Sequence, residues 1–143
     1  MRAEAFNEIK ETLEKITNAG SYVLFFQFGE LNADIMTRNG LLPIKRKDFK
    51  TLVSKGIAVG EELNWYIINS YHIDKNGAKL TAKSTFESRY HKKTKKCICF
   101  FIKGYLNKLA NSTDDKKNYL CTETKCTAKG DDFCVFEIKK AGK

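Results

Sequence analysis

Three of the chain's five cysteines and a glutamate fall within one hairpin's length, Tyr119 to Ile138, and no other stretch restricts the fold as much. Its two limbs alternate in the period-2 manner of strands, and Thr127-Ala128-Lys129-Gly130-Asp131-Asp132 supplies the turn formers between them. Cys126 and Cys134 are thereby placed on facing limbs near the loop, with Cys121 and Glu123 earlier on the first limb. Cys97 and Cys99 lie upstream, so a cluster of soft ligands forms only if the intervening segment folds back.

Zinc accepts thiolate, imidazole and carboxylate ligands in a tetrahedron, and a structural site fills all its positions from the protein. Cys126 and Cys134 can converge at the hairpin mouth. Glu123 is three residues from Cys126, and a flat strand would point the two to opposite faces, so their convergence requires a bulge or twist near Thr124-Lys125. The spacing is not that of the paired Cys-x-x-Cys zinc ribbons. From the residues alone two other accounts stay open: the cysteines act as small core hydrophobes with Glu123 solvated, or Cys126 and Cys134 form a cross-strand disulfide.

The rest of the chain reads as helices, a hairpin and one more helix. Residues 2–18 set Phe6, Ile9, Leu13 and Ile16 on one helical stripe that ends at Asn18-Ala19-Gly20. Tyr22 to Phe28 is a near-continuous aromatic and apolar run that reads as a buried strand, with a helix continuing past Gly29 as the alternative. Leu31, Ile35 and Met36 suggest a short helix before Asn39-Gly40, and Lys47 to Val53 another, capped by Asp48. Asn64 to Ile73 has the composition of a strand, Asp74-Lys75-Asn76-Gly77 is a turn signal, and Ala78 to Tyr90 returns as the hairpin partner. Ile98, Phe101, Ile102, Tyr105, Leu106 and Leu109 then follow helical spacing. The predicted class is α+β with a mainly antiparallel sheet, in one domain over residues 1–143.

Length and charge bound the function. A chain of 143 residues buries about two-thirds of its unfolded surface and needs no disulfides to fold. No apolar run approaches a membrane span, so a cytoplasmic protein is expected, in which clustered cysteines serve as metal ligands or redox groups more often than as disulfides. The formal charge of +9 is densest at Lys45-Arg46-Lys47 and from Arg89 to Lys96, which keeps nucleic acid as a partner, although a solvated lysine-rich surface is the favoured reading.

The run Cys99-Phe-Phe-Ile-Lys-Gly104, followed by Glu123-Thr-Lys-Cys126-Thr-Ala-Lys-Gly130-Asp131-Asp-Phe-Cys134-Val-Phe136, resembles the signature of the 4-vinyl reductase domain family. The resemblance covers the last third of the chain. It implies helices packed on one side of an antiparallel sheet, similar to TRAPP subunits and haem-based nitric-oxide sensors. It also implies a small-molecule-binding module with an apolar cavity near a zinc site, the ligands being Cys99, Glu123, Cys126 and Cys134. Cys97 and Cys121 each stand two residues from one of these and are the candidates to replace it.

No independent catalytic constellation is visible. His72 and His91 are isolated, and there is no phosphate loop or dinucleotide fingerprint. His72 is the outside candidate for a mixed zinc shell, and His91 reads as a surface residue among lysines. Three functions therefore stand: a sensor or carrier of a small hydrophobic or aromatic molecule held in shape by zinc; a tetrapyrrole vinyl reductase, which lacks a hydride source of its own; and a basic nucleic-acid-binding zinc protein. A homodimer through the N-terminal helix is a further expectation.

Overall fold

The computed structural model describes residues 3–17, 20–42, 48–89, 93–113 and 118–141. Its elements in order are α1 (Ala3–Thr17), α2 (Gly20–Arg38), α3 (Phe49–Glu62), β1 (Tyr66–Asp74), β2 (Gly77–Thr85), α4 (Phe100–Ala110), β3 (Tyr119–Lys125) and β4 (Cys134–Lys140). The four strands form one antiparallel sheet in the order β1-β2-β4-β3. The expected α+β class is what the chain adopts.

The sheet has one buried face. Ala78, Leu80 and Ala82 on β2, Phe136 and Ile138 on β4, and Tyr119 and Cys121 on β3 are buried, whereas the intervening Lys79, Lys83, Lys139 and Thr122 are exposed. Period-2 patterning therefore selects the face that receives the helices. Helix α4 lies on it against β3 and β4, α2 crosses α4, α3 packs on α4 and β1, and α1 rests on α2. The hairpin turn at Asp74 to Gly77 is tied by the Asp74 carboxylate, which accepts from the Asn76 N–H at 2.7 Å and the Gly77 N–H at 3.2 Å.

The segment Tyr22–Phe28 is helical and not the buried strand its composition suggests, and the separate short helix expected around Leu31 to Met36 is the second half of the same α2. Burial explains the outcome. Phe25, Gly29, Ala33 and Met36 face inward at helical spacing while Val23 and Phe28 are exposed, so the run supplies one stripe and not two buried strand faces. Glycines permit the crossing with α4. A Cβ on Gly29 would collide with the Phe101 carbonyl oxygen and lie 2.7 Å from the Tyr105 nitrogen, and one on Gly104 would collide with the Phe26 carbonyl oxygen. The two backbones touch, which only residues without side chains allow.

Helix α3 begins at the expected cap, where Asp48 accepts a hydrogen bond from the Thr51 N–H at 2.7 Å, but it runs on to Glu62, well past Val53. Strand β2 ends at Thr85, short of Tyr90, which lies outside the described residues. In α1 the predicted stripe is not the buried side: Ile9 is 44% exposed and the neighbouring Lys10 is wholly buried. The side chains of Phe6 and Ile16 lie outside the described residues, as do Lys45-Arg46-Lys47 and His91. No helix among the described residues is long and apolar enough to cross a membrane.

Candidate metal centre

The final hairpin carries the bulge that its ligand spacing demands. Glu123 pairs with Phe136 while Lys125 pairs with Val135, so β3 advances two residues where β4 advances one. The extra residue falls at Thr124-Lys125 and resets the alternation, which returns Cys126 to the face that already holds Cys121 and Glu123. Beyond it the loop is tightened around Cys126. Its carbonyl accepts from the Lys129 N–H at 3.0 Å and the Asp131 N–H at 3.2 Å, and its own N–H donates to the Asp131 carboxylate at 2.9 Å. Gly130 closes the turn at φ 108°, a conformation that favours glycine.

Cys99 reaches the hairpin from the N-cap position of α4, and its thiol makes no capping bond there. Its sulfur lies 3.9 Å from that of Cys126 and 3.1 Å from the Thr85 hydroxyl, and its backbone N–H donates to Glu123 Oε1 at 2.9 Å. The donor atoms of Cys99, Glu123, Cys126 and Cys134 all lie within 4.8 Å of one another, and the three cysteines are buried. The structure thus brings together all four of the residues named from the sequence. Around them, the Thr127 N–H donates to the Cys134 sulfur at 3.4 Å, the Ser88 hydroxyl lies 3.5 Å from the same sulfur, and the Thr127 hydroxyl donates to Ser88 at 2.8 Å. The hydroxyls of Thr85 and Ser88, from the end of β2, escaped the sequence reading, because nothing local to either residue announces a neighbour on another element.

The electrostatics are those of a site built for a cation. Burial pushes the Glu123 carboxyl up to about 7 against the hydrogen bonds from Cys99 that pull it down. Hydrogen bonds from Cys126 and Cys99 draw the Cys134 thiol well below its ordinary value, while Cys126, on the other side of that bond, is pushed up to about 12. Burial raises Cys99. Cys134 is therefore the first of the three to be a thiolate. The second Glu123 oxygen, Oε2, is buried with no hydrogen-bond partner, and such an orphan fits a metal ligand. Three thiols and a carboxylate suit zinc, a borderline-soft ion that takes sulfur and oxygen donors in a tetrahedron.

The other candidates sit elsewhere. All five cysteines are free thiols, so the described structure contains no Cys126–Cys134 disulfide. Cys121 is buried beside α4, its N–H donating to the Asn107 side-chain oxygen at 3.0 Å, and neither it nor the half-buried Cys97 joins the converging donors among the described residues. His72 is 78% exposed at the far end of the sheet, 3.4 Å from Asp74. It pairs with Lys79, whereas Cys134 pairs with Ala82, so the mixed shell with His72 is excluded by register.

The aromatic residues form a wall beside this centre. Trp65 meets Phe101 and Tyr105 edge-on, with ring centroids 5.2 and 4.9 Å apart, and Phe86 meets Phe101 at 5.6 Å. The hydroxyls of Tyr66 and Tyr105 donate to the carbonyls of Ile57 and Gly56, at 2.6 and 2.8 Å, which satisfies them inside the core. A separate open groove of about 450 Å³ lies at the opposite end of the sheet, lined by charged residues including Lys79, Glu137 and Lys139.

Residues 79–140 match the model of the 4-vinyl reductase domain family. No curated protein matches the sequence. Among solved structures, the phenol-responsive sensory domain of the transcription activator PoxR, determined with phenol, is similar at 15% identity and TM-score 0.73, over 98% of this chain and 75% of that one. A vinyl-4-reductase family protein from Methanocaldococcus jannaschii is similar at 16% identity and TM-score 0.61, over 99% and 83%. Trafficking protein particle complex subunit 3 from Naegleria fowleri, covalently bound to palmitic acid, is similar at 13% and 0.63, over 98% and 93%. The fold is also that of an H-NOX protein from S. oneidensis, at 18% identity and TM-score 0.65, as the sequence signature implied.

Proposed function

We propose that this chain, which carries a 4-vinyl reductase domain over residues 79–140, is a small-molecule-binding sensor or carrier domain for a hydrophobic or aromatic ligand, held in shape by a structural zinc ion. The observation that carries the reading is the convergence of Cys99, Glu123, Cys126 and Cys134 between α4 and the last hairpin. Four protein donors fill a tetrahedron, which leaves no position for a water or substrate, so the ion's role is to pin the hairpin to α4. Helix α4 also bears Phe101 and Tyr105 of the aromatic wall, so the same pin fixes the surface on which an apolar ligand would rest. Similar folds hold phenol in PoxR and palmitic acid in the trafficking subunit, which supports a ligand of this class here.

Two measurements on untagged protein test the reading. Elemental analysis should return about one zinc per chain, lost or weakened in Cys126→Ser and Glu123→Ala. Native mass spectrometry with phenols and fatty acids should then show uptake of one apolar molecule by the zinc-loaded protein. Freshly purified, reduced protein without metal refutes the zinc, and zinc-loaded protein that takes up neither class refutes the ligand.

A further inference from the structure

Among the described residues, the one lysine buried completely lies in a helix that contributes nothing to the thiol cluster. Lys10 of α1 is 0% exposed, as is Glu87 at the end of β2, and their charged groups stand 3.6 Å apart. Lys10 also donates to the Ile98 carbonyl at 2.9 Å and lies 5.8 Å from the Phe25 ring centroid, so a single side chain of α1 touches α2, the segment before Cys99 and the turn after β2. Removing two charges from water is costly, and leaving one of them buried alone is costlier still. Such a pair needs an explanation beyond packing.

Glu87 supplies it. Its two carboxylate oxygens accept the N–H groups of Phe101 at 3.1 Å and Ile102 at 2.9 Å, the donors that open α4. The N-cap residue of that helix is Cys99, whose sulfur points into the thiol cluster and caps nothing. Glu87 therefore does for α4 what the ligand cysteine cannot, and Lys10 supplies the charge that allows the carboxylate to stay buried while it does so. On either side of Glu87, Thr85 and Ser88 lie against the sulfurs of Cys99 and Cys134.

We propose that Lys10 and Glu87 form a latch that couples the docking of α1 to metal retention: with α1 in place the first turn of α4 is capped and Cys99 is presented to the metal, and with α1 displaced it is not. The inference rests on the metal reading above and adds a regulatory element to it. Because coupling of this kind is reciprocal, metal binding tightens α1 by the same factor by which α1 tightens the metal. Lys10 and Glu87 are positioning residues; neither contributes a ligand atom.

The test uses the full chain with zinc as the probe, in wild type, Lys10→Met, Glu87→Gln and the double variant, each checked for folding by circular dichroism. Zinc affinity is read by competition with a chromogenic chelator, and α1 by amide hydrogen exchange with and without zinc. Wild-type α1 should be protected by zinc, whereas Lys10→Met should bind zinc about tenfold more weakly and show α1 exchange that no longer responds to it. The double variant, which removes both charges, should fold yet remain uncoupled. Zinc bound equally well by wild type and a folded Lys10→Met or double variant, or α1 exchange indifferent to zinc in wild type, overturns the latch and leaves the metal centre standing. A wild type that takes up no zinc overturns both.

Discussion

Replacing Gly104 with alanine adds one methyl group at the point where α4 crosses α2. In an exposed helix interior the exchange stabilises by about 1 kcal/mol, because alanine loses less backbone freedom. Here the new Cβ would sit 2.8 Å from the Phe26 carbonyl carbon and 3.0 Å from its Cα, besides colliding with the carbonyl oxygen. The obstacle is backbone, so no rotamer relieves it, and the two helices must separate and loosen the core they share. Overpacking of this kind costs about 3 kcal/mol, which leaves a net loss of about 2 kcal/mol after the propensity gain. For a chain of this length that lowers the melting temperature by about 6 °C. Gly56→Ala is the internal control: its Cβ would meet the Leu109 side chain, which can turn aside, so its loss should be smaller. Urea and thermal unfolding followed by circular dichroism read both. Gly104→Ala at or above wild-type stability would refute the close crossing of α2 and α4.

The remaining expectations concern the cap, the sulfur environment and alkaline pH. Asp48→Ala removes the acceptor of the Thr51 N–H and should cost about 1 kcal/mol in urea unfolding, without changing metal content. Thr85→Val deletes the hydroxyl 3.1 Å from the Cys99 sulfur and should weaken zinc binding about tenfold in chelator competition; unchanged affinity would remove Thr85 from the site. Burial raises the phenols of Tyr66 and Tyr105 above their ordinary value of 10.0. Above that value the unfolded chain loses protons that the native state keeps, so their contribution is full below about pH 10 and stability falls as pH rises beyond it. Unfolding midpoints measured from about pH 9 to 12 should decline, less steeply in Tyr105→Phe; a flat profile would contradict the burial of these groups.

Much of this architecture is legible in the sequence, where local pattern and tertiary environment demand the same thing. The hairpin about Asp74 to Gly77, the Asp48 cap, the helix from Phe100 and the cysteine hairpin all follow from residues that lie within a few positions of one another. Even the bulge at Thr124-Lys125 is implied, because Glu123 and Cys126 cannot share a strand face without it. Tyr22 to Phe28 goes the other way. Its aromatic composition favours a strand, and helix formation is decided by Gly29 and Gly104, which stand 75 positions apart and let two helices touch.

What tertiary structure alone decides is how charge is arranged in the interior. A lysine beside an apolar stripe reads as solvated, and at Lys10 that rule fails, because its partner Glu87 and the carbonyl of Ile98 come from elements far along the chain. The hydroxyls of Thr85 and Ser88 near the thiols are equally silent in sequence. Short-range geometry sets where a strand turns, a helix starts and a cysteine faces, and those are readable from neighbouring residues. The balance of a buried charge depends on which distant groups surround it, and those are known only once the chain has folded.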